Sequence, residues 1–318
     1  MRSGVCMKKT LRIILKSIGA LIIAIGLFLA IVFVVNIISN KSEQGKIEPY
    51  GQLVPVDGKN MNVLIQGTGE ETVVLLPGHG TGAPALDFKP LVDELSSFYK
   101  VVVVEPFGYG LSDGTDKERS TENIVSEIHE ALHQLNIDRY MLMGHSIAGI
   151  YGLDYVNKYT DEVSAFIGID SSVPTQGGMD DESPIGTFKF LDKSGLMRLL
   201  KKLGGDPYAG LAFDDQIKEQ MRMISNKNYG NAATMNEMKH IQTNFKAAQA
   251  LSFPKDLPLL LFVQANNTEV EGWLPLHEEQ IKNSVHGKVL ALEGGHYLHH
   301  TRSKEIVQNL REFMGKVK

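Results

Sequence analysis

The chain has 318 residues, 43% of them apolar and 22% charged, with a single cysteine and a formal net charge of −5. This composition is ordinary for a folded globular protein and excludes a disordered, collagen-like or disulfide-stapled chain. The lone Cys6 also excludes an intramolecular disulfide and a structural zinc site built on several thiolates.

Residues 1–16 hold five basic side chains (Arg2, Lys8, Lys9, Arg12 and Lys16) and no acid. The remainder is acidic and lacks the basic face that nucleic acid requires, so no nucleic-acid partner is expected. Ser17 to Ile38 follows without a charge. As a helix this segment would be ~33 Å long, enough for a ~30 Å hydrocarbon core. A cleaved signal peptide would have a shorter apolar stretch and an A-x-A-like site, which Ile37-Ile38-Ser39-Asn40 does not offer. The expectation is a single-pass anchor over 17–38 in the cell membrane. The positive flank puts residues 1–16 in the cytoplasm and the body outside it. Met7 opens a plausible shorter start that would omit Cys6.

Residues 39–50 are polar, with Gly45 and Pro49, and read as a linker. Leu53–Val56 and Met61–Gln66 flank Asp57-Gly58, a hairpin signal. Thr72–Pro77 is a continuous apolar run of the kind buried on both faces of a sheet. Leu86–Phe98 has helical spacing and Val101–Val104 reads as a buried strand. Thr121–Leu135 is an amphipathic helix, Tyr140–Gly144 a strand, Ile147–Tyr159 a helix and Val163–Ile169 a strand. The alternation predicts a mostly parallel sheet flanked by helices. It lapses over 171–255, where helix-like stretches and six methionines replace strands, and resumes with Pro258–Val263, Pro275–Asn283, Lys288–Leu292 and Lys304–Met314. One α/β core over 51–170 and 256–318 is therefore expected, with a helical cap inserted at 171–255. Methionines suit an adaptable acyl-sized cavity, so the cap is expected to cover the pocket described next.

Met141-Leu142-Met143-Gly144-His145-Ser146-Ile147-Ala148-Gly149 is the sharpest motif. A serine on a tight strand-to-helix turn has its hydroxyl pushed clear of the sheet, and small residues two positions either side let strand and helix approach. The following amide, Ile147, then lies where an oxyanion can form at a helix N-terminus. A helix N-cap serine is the bland alternative, but it leaves Gly144 and Ala148-Gly149 unexplained. Of the ten histidines, His296 follows the last strand and sits between Gly295 and Tyr297-Leu298, a suitable place for a general base.

Residues 53–315 resemble an α/β-hydrolase-fold protein, in particular a serine hydrolase with a helical cap. Gly144-x-Ser146-x-Ala148 is similar to the Gly-x-Ser-x-Gly elbow of that family, with Ala148 in place of the second glycine. Leu75-Leu76-Pro77-Gly78-His79-Gly80 resembles its oxyanion loop, which implies the His79 amide as second oxyanion donor beside Ile147. Glu105-Pro106-Phe107-Gly108-Tyr109-Gly110-Leu111-Ser112 resembles the Asp-x-x-Gly-x-Gly-x-Ser segment, and Gly294-Gly295-His296 the catalytic-histidine loop. The resemblance implies Ser146 as nucleophile and His296 as base, the order in which such triads run along the chain. It puts Asn267 where the acid usually stands, and asparagine cannot supply the negative charge an imidazolium needs. Asp170, ending the sixth strand, is the first substitute. Glu269 or Glu271 from the loop after the seventh strand are the alternatives, and a site without an acid is the third possibility.

His299 and His300 are close enough to suggest a metal, but no HExxH or acidic cluster accompanies them, so no metal is expected. Gly78-His79-Gly80-Thr81-Gly82-Ala83 followed by Glu105 has the outline of a dinucleotide site. Pro84 and Pro90 set any helix start beyond the glycines, so no cofactor is expected either. The reading is a hydrolase acting on a small-molecule ester or amide, most simply a carboxylesterase working through an acyl-enzyme. An aminopeptidase-like hydrolase of the same fold is one alternative. A ligand-binding or signalling protein without a competent acid is the other.

Overall fold

The computed structural model describes residues 2–179 and 183–317. These divide into two compact units that cut across the 171–255 segment: Met1–Lys46 with Gly186–Pro207, and Ile47–Ile185 with Tyr208–Lys318.

The first unit is built on α1 (Arg2–Gln44), which carries on through the first residues of the expected linker. From Lys9 to Gln44 this helix is long and apolar enough to cross a membrane.

In the second unit, β1 (Gln52–Val56) and β2 (Lys59–Gln66) form an antiparallel hairpin. Its turn residues Asp57 and Gly58 both have positive φ, 50° and 73°, the backbone a two-residue turn of matching twist requires. β3 (Thr72–Leu76) leads to α2 (Pro84–Asp87) and α3 (Lys89–Leu95). The single helix expected over 86–98 is thus divided. Pro84 and Pro90 each lie in a first turn, where a missing N–H is tolerated, whereas Pro90 inside one longer helix would break it.

β4 (Lys100–Glu105), α4 (Thr121–Gln134), β5 (Tyr140–His145), α5 (Ala148–Lys158) and β6 (Val163–Ile169) follow. The chain leaves for α6 (Ile185–Lys193) and α7 (Leu196–Leu203), then returns through α8 (Asp215–Asn228) and α9 (Ala232–Ala248). It closes with β7 (Leu259–Gln264), α10 (Trp273–Ile281), β8 (Gly287–Leu292), α11 (Leu298–Thr301) and α12 (Ser303–Val317).

The strands form one sheet in the order β1-β2-β4-β3-β5-β6-β7-β8, parallel from β4 to β8. Alternate residues of each central strand feed opposite cores. Val74 and Leu76 pack with α4 and α5, while Val73 and Leu75 pack with α3 and α12. Burial on both faces explains why these strands read as unbroken apolar runs. α8 and α9 close over the loops that follow β3 and β4. The Asn228 amide donates to the Gly82 and Gly110 carbonyls at 3.0 and 2.8 Å, and that of Asn231 to the Gly108 carbonyl at 2.7 Å.

In the first unit, α7 docks against the end of α1. Arg198 Nε donates to Asn36 Oδ1 at 2.8 Å and its Nη1 to Glu43 Oε1 at 2.6 Å, with Nη2 on Asn40. Residues 36, 40 and 43 recur at helical spacing, so one face of α1 meets one guanidinium. Gly195, at φ 78°, lies so near α1 that a Cβ there would come within 2.6 Å of Asn36 Cβ.

Candidate active site

Ser146 stands between β5 and α5 with φ 55°, a left-handed backbone that costs a non-glycine residue of order 1–3 kcal/mol. The surrounding chain holds it there. The Ser146 amide donates to the Ile169 carbonyl at 3.3 Å, and its own carbonyl accepts from Gly149 at 2.9 Å and Ser172 at 2.7 Å. The small neighbours are required by contact. A Cβ on Gly144 would lie 3.0 Å from Ala148 Cβ, and one on Gly149 only 2.4 Å from the Ser172 carbonyl oxygen. Ala148 thus fits where a larger residue would collide with residue 144. Ile147 begins the turn into α5 directly after the serine. The loop after β3 approaches from the other side, since a Cβ on Gly78 would meet Ser146 Cβ at 2.9 Å.

Asp170 lies at the end of β6 with φ 43° and is 0% exposed. Its Oδ2 accepts from His296 Nδ1 at 2.7 Å, and its Oδ1 from the Gln264 amide at 2.8 Å and Trp273 Nε1 at 2.7 Å. A buried carboxylate needs such donors to remain charged. The His296 side chain is 42% exposed, and its Nε2 is the ring nitrogen opposite the acid. Glu269 and Glu271 are exposed, and neither hydrogen-bonds His296 among the described residues. Asn267 is engaged locally, its Oδ1 capping the Glu269 and Val270 amides at 2.9 Å each.

His145 braces the histidine loop. Its Nε2 donates to the His296 carbonyl at 3.1 Å. Burial first, and then His299 and His296, push its pKa well below the ordinary value, so the ring is neutral. Below it, Asp87 binds His299 Nε2 at 2.8 Å through one oxygen and His300 Nε2 at 3.0 Å through the other. These three could hold a metal ion by type and proximity. As they stand, each imidazole donates to its own carboxylate oxygen, which ties α2 to α11 beneath His296. Burial opposes charge on Asp87, yet the two histidines hold its carboxyl far below the usual range.

His79, at the turn after β3, meets an acid from α9. Glu237 on α9 is buried; its Oε2 accepts from Tyr109 at 2.6 Å and its Oε1 from Tyr151 at 2.6 Å. His79 Nδ1 lies 3.5 Å from Oε1. Burial pushes the His79 pKa down, but the charge and hydrogen bond of Glu237 outweigh it and raise the pKa above the ordinary value. Conversely, burial acts to raise the Glu237 pKa, while His79 and both tyrosines bring it below the ordinary value.

Glu105 is buried beneath this region. It accepts from the Leu111 and Ala85 amides at 2.8 and 3.1 Å, Asn62 Nδ2 at 2.9 Å and the Tyr50 hydroxyl at 2.8 Å. These four donors tie Glu105 to the chain before β1, to β2, to the start of α2 and to the loop after β4.

Residues 71–217 match the family pattern described as the α/β hydrolase fold. The chain has the α/β-hydrolase fold. It is 27% identical to the uncharacterized protein YbdG of Bacillus subtilis (strain 168), over 98% of both chains. It is 30% identical to the 2-hydroxy-6-oxononadienedioate/2-hydroxy-6-oxononatrienedioate hydrolase of Escherichia coli (strain K12), over 38% of this chain and 42% of that enzyme. Among solved structures, epoxide hydrolase VrEH1 from Vigna radiata superposes with a TM-score of 0.66 at 15% identity, covering 83% of this chain and 97% of that one. The chain therefore shares its architecture with enzymes of differing chemistry, and its own chemistry must be argued from its residues.

Proposed function

We propose that the chain is a membrane-anchored serine hydrolase that cleaves carboxylic esters through an acyl-enzyme, with its hydrolase unit on the extracytoplasmic side. The observation that carries this reading is the 2.7 Å contact between His296 Nδ1 and a buried, fully hydrogen-bonded Asp170. That contact fixes the tautomer with Nε2 unprotonated, which is the form able to take a proton from Ser146. Ser146 Oγ attacks the acyl carbonyl carbon as its proton passes to His296 Nε2. The carbonyl oxygen gains the negative charge and is held by the amides of His79 and Ile147. Collapse expels the alcohol, which takes the proton from His296 and leaves the acyl group on Ser146. Water then repeats the sequence, releasing the acid and restoring the serine. A serine at the elbow cannot form the alkyl-enzyme ester that an aspartate nucleophile would, which argues against epoxide chemistry despite the shared fold. No feature demands a long lipid tunnel, so short and medium acyl chains are the favoured substrates. The apolar, uncharged span of α1 supports the anchor, and its basic flank supports the orientation.

Hydrolysis of p-nitrophenyl esters of graded chain length by the full chain tests the reading. Ser146→Ala should lower turnover by a factor on the order of 10⁵–10⁶. Equal rates for the two proteins would overturn it.

A further inference from the structure

The 186–207 segment interrupts the cap, yet it belongs to the compact unit of α1. Arg198 and Gly195 fix it against α1 at Val32, Asn36, Asn40 and Glu43. Those positions straddle the point where the uncharged stretch ends at Ile38 and polar residues begin. If α1 spans a bilayer, this is the level at which hydrocarbon gives way to headgroups, a zone several ångströms deep.

The surface turned outward there has two characters. Leu196, Leu199, Leu200 and Leu203 share one face of α7, and Leu200 and Leu203 are 51% and 74% exposed. Phe190 on α6 is 56% exposed. Arg198, Lys201 and Lys202 occupy the other side of α7, and Lys189 and Lys193 lie on α6. The segment thus carries five basic and two acidic side chains within an otherwise acidic body. A short helix with a leucine face and a lysine face suits the plane of an anionic membrane surface, leucines downward and lysines among the headgroups. In water the same leucines would form an apolar patch of the kind that normally marks an interaction site.

We propose that α6 and α7 form a second, interfacial membrane contact, with Phe190, Leu200 and Leu203 seated at the acyl–headgroup boundary and the lysines on anionic phospholipid. The inference rests on the anchoring of α1 proposed above, but not on the esterase chemistry. α7 contributes no group to the candidate triad; it places 186–207 in the interface through Arg198, which binds α1 while the leucine face stays open to lipid.

The test uses the full chain in vesicles containing phosphatidylglycerol, with Cys6→Ser removing the native thiol. An environment-sensitive fluorophore is attached in turn to Leu203→Cys, Phe28→Cys in the span, and Lys282→Cys on the exposed surface of the hydrolase unit. Shallow nitroxide lipids should quench the 203 probe at least two- to three-fold more than the 282 probe, as interfacial burial requires. Aqueous iodide should show the reverse order. Replacing phosphatidylglycerol by phosphatidylcholine, or introducing Lys193→Glu with Lys202→Glu, should weaken lipid quenching at 203 and leave the 28 probe unchanged. If the 28 probe is lipid-quenched but the 203 probe is as open to iodide as the 282 probe, the interfacial contact is wrong and the anchor stands. If the 28 probe is itself open to iodide, the anchor fails and the interfacial contact fails with it.

Discussion

Asp170 and Glu237 are both buried acids that face a histidine of the candidate site, but they are secured by different parts of the fold. Asp170 is gripped by its own sheet neighbourhood: the Gln264 amide at the end of β7, Trp273 at the start of α10, and His296 after β8. Glu237 comes from α9, between β6 and β7 in the chain, and meets Tyr109, Tyr151 and His79. The Asp170 end is thus held by the strand ends around it, while the His79 loop is held both by Tyr109 of the core and by Glu237 of α9. Substitutions at the first should damage turnover, and those at the second should alter pH response and the docking of α9.

Of the two acids, Asp170 carries the larger expected effect. Asp170→Asn removes the charge that stabilises the His296 imidazolium and favours the wrong tautomer, and should cut kcat by a factor on the order of 10³–10⁴. Glu269→Gln and Glu271→Gln should leave kcat within about two-fold, as for exposed groups far from the reacting atoms. Comparable losses at a glutamate would break the assignment of the acid. Trp273→Phe deletes one of three donors to Asp170 and leaves a buried carboxylate oxygen short of a partner. Unfolding in urea should show a loss of about 1–3 kcal/mol, with a smaller fall in kcat than Asp170→Asn. Gly149→Ala should destabilise by roughly 1–3 kcal/mol through collision with the Ser172 carbonyl, again read from urea unfolding. A neutral Gly149→Ala would mean that the close approach of α5 to the chain after β6 is not required.

A smaller effect, and the one that isolates the contact made by α9, is that of Glu237→Gln. The folded His79 pKa lies above its ordinary 6.5. Its share of stability is therefore fully present below about 6.5 and lost as pH rises through the folded value. The folded Glu237 pKa lies below its ordinary 4.5, so its share is present above 4.5 and lost as pH falls through the folded value. The stability advantage of the native chain over Glu237→Gln should accordingly peak between these limits and shrink towards alkaline pH. An offset independent of pH, measured by thermal unfolding across that range, would show that the pair is not charged.

The parts of this arrangement that rest on local pattern are legible in the sequence. Unbroken apolar runs marked the central strands, and Gly144, Ser146 and Ala148 marked the elbow, because the close approach of Gly144 and Ala148 lies within five residues. The choice among Asp170, Glu269 and Glu271 stayed open, since it depends on which loop end reaches His296, 126 positions beyond Asp170. Trp273, Tyr109, Tyr151 and Glu237 passed unnoticed for the same reason. The one available signal was that a lone tryptophan needs a partner for its indole N–H when buried. Nor did spacing along 171–255 show that 186–207 follows α1. That allegiance depends on Arg198 meeting Asn36 and Glu43 across 162 and 155 positions, and on a Gly195 whose missing Cβ matters only once the helices touch.

The central claim is that Ser146 is a nucleophile made reactive by His296. A fluorophosphonate probe forms a stable bond only with such a serine, releasing fluoride. Exposure of the full chain in membranes, followed by digestion and mass spectrometry, should place one adduct on the peptide containing Ser146, with none in Ser146→Ala and much slower labelling in His296→Ala. An unlabelled native chain, or an adduct on another residue, would contradict the account.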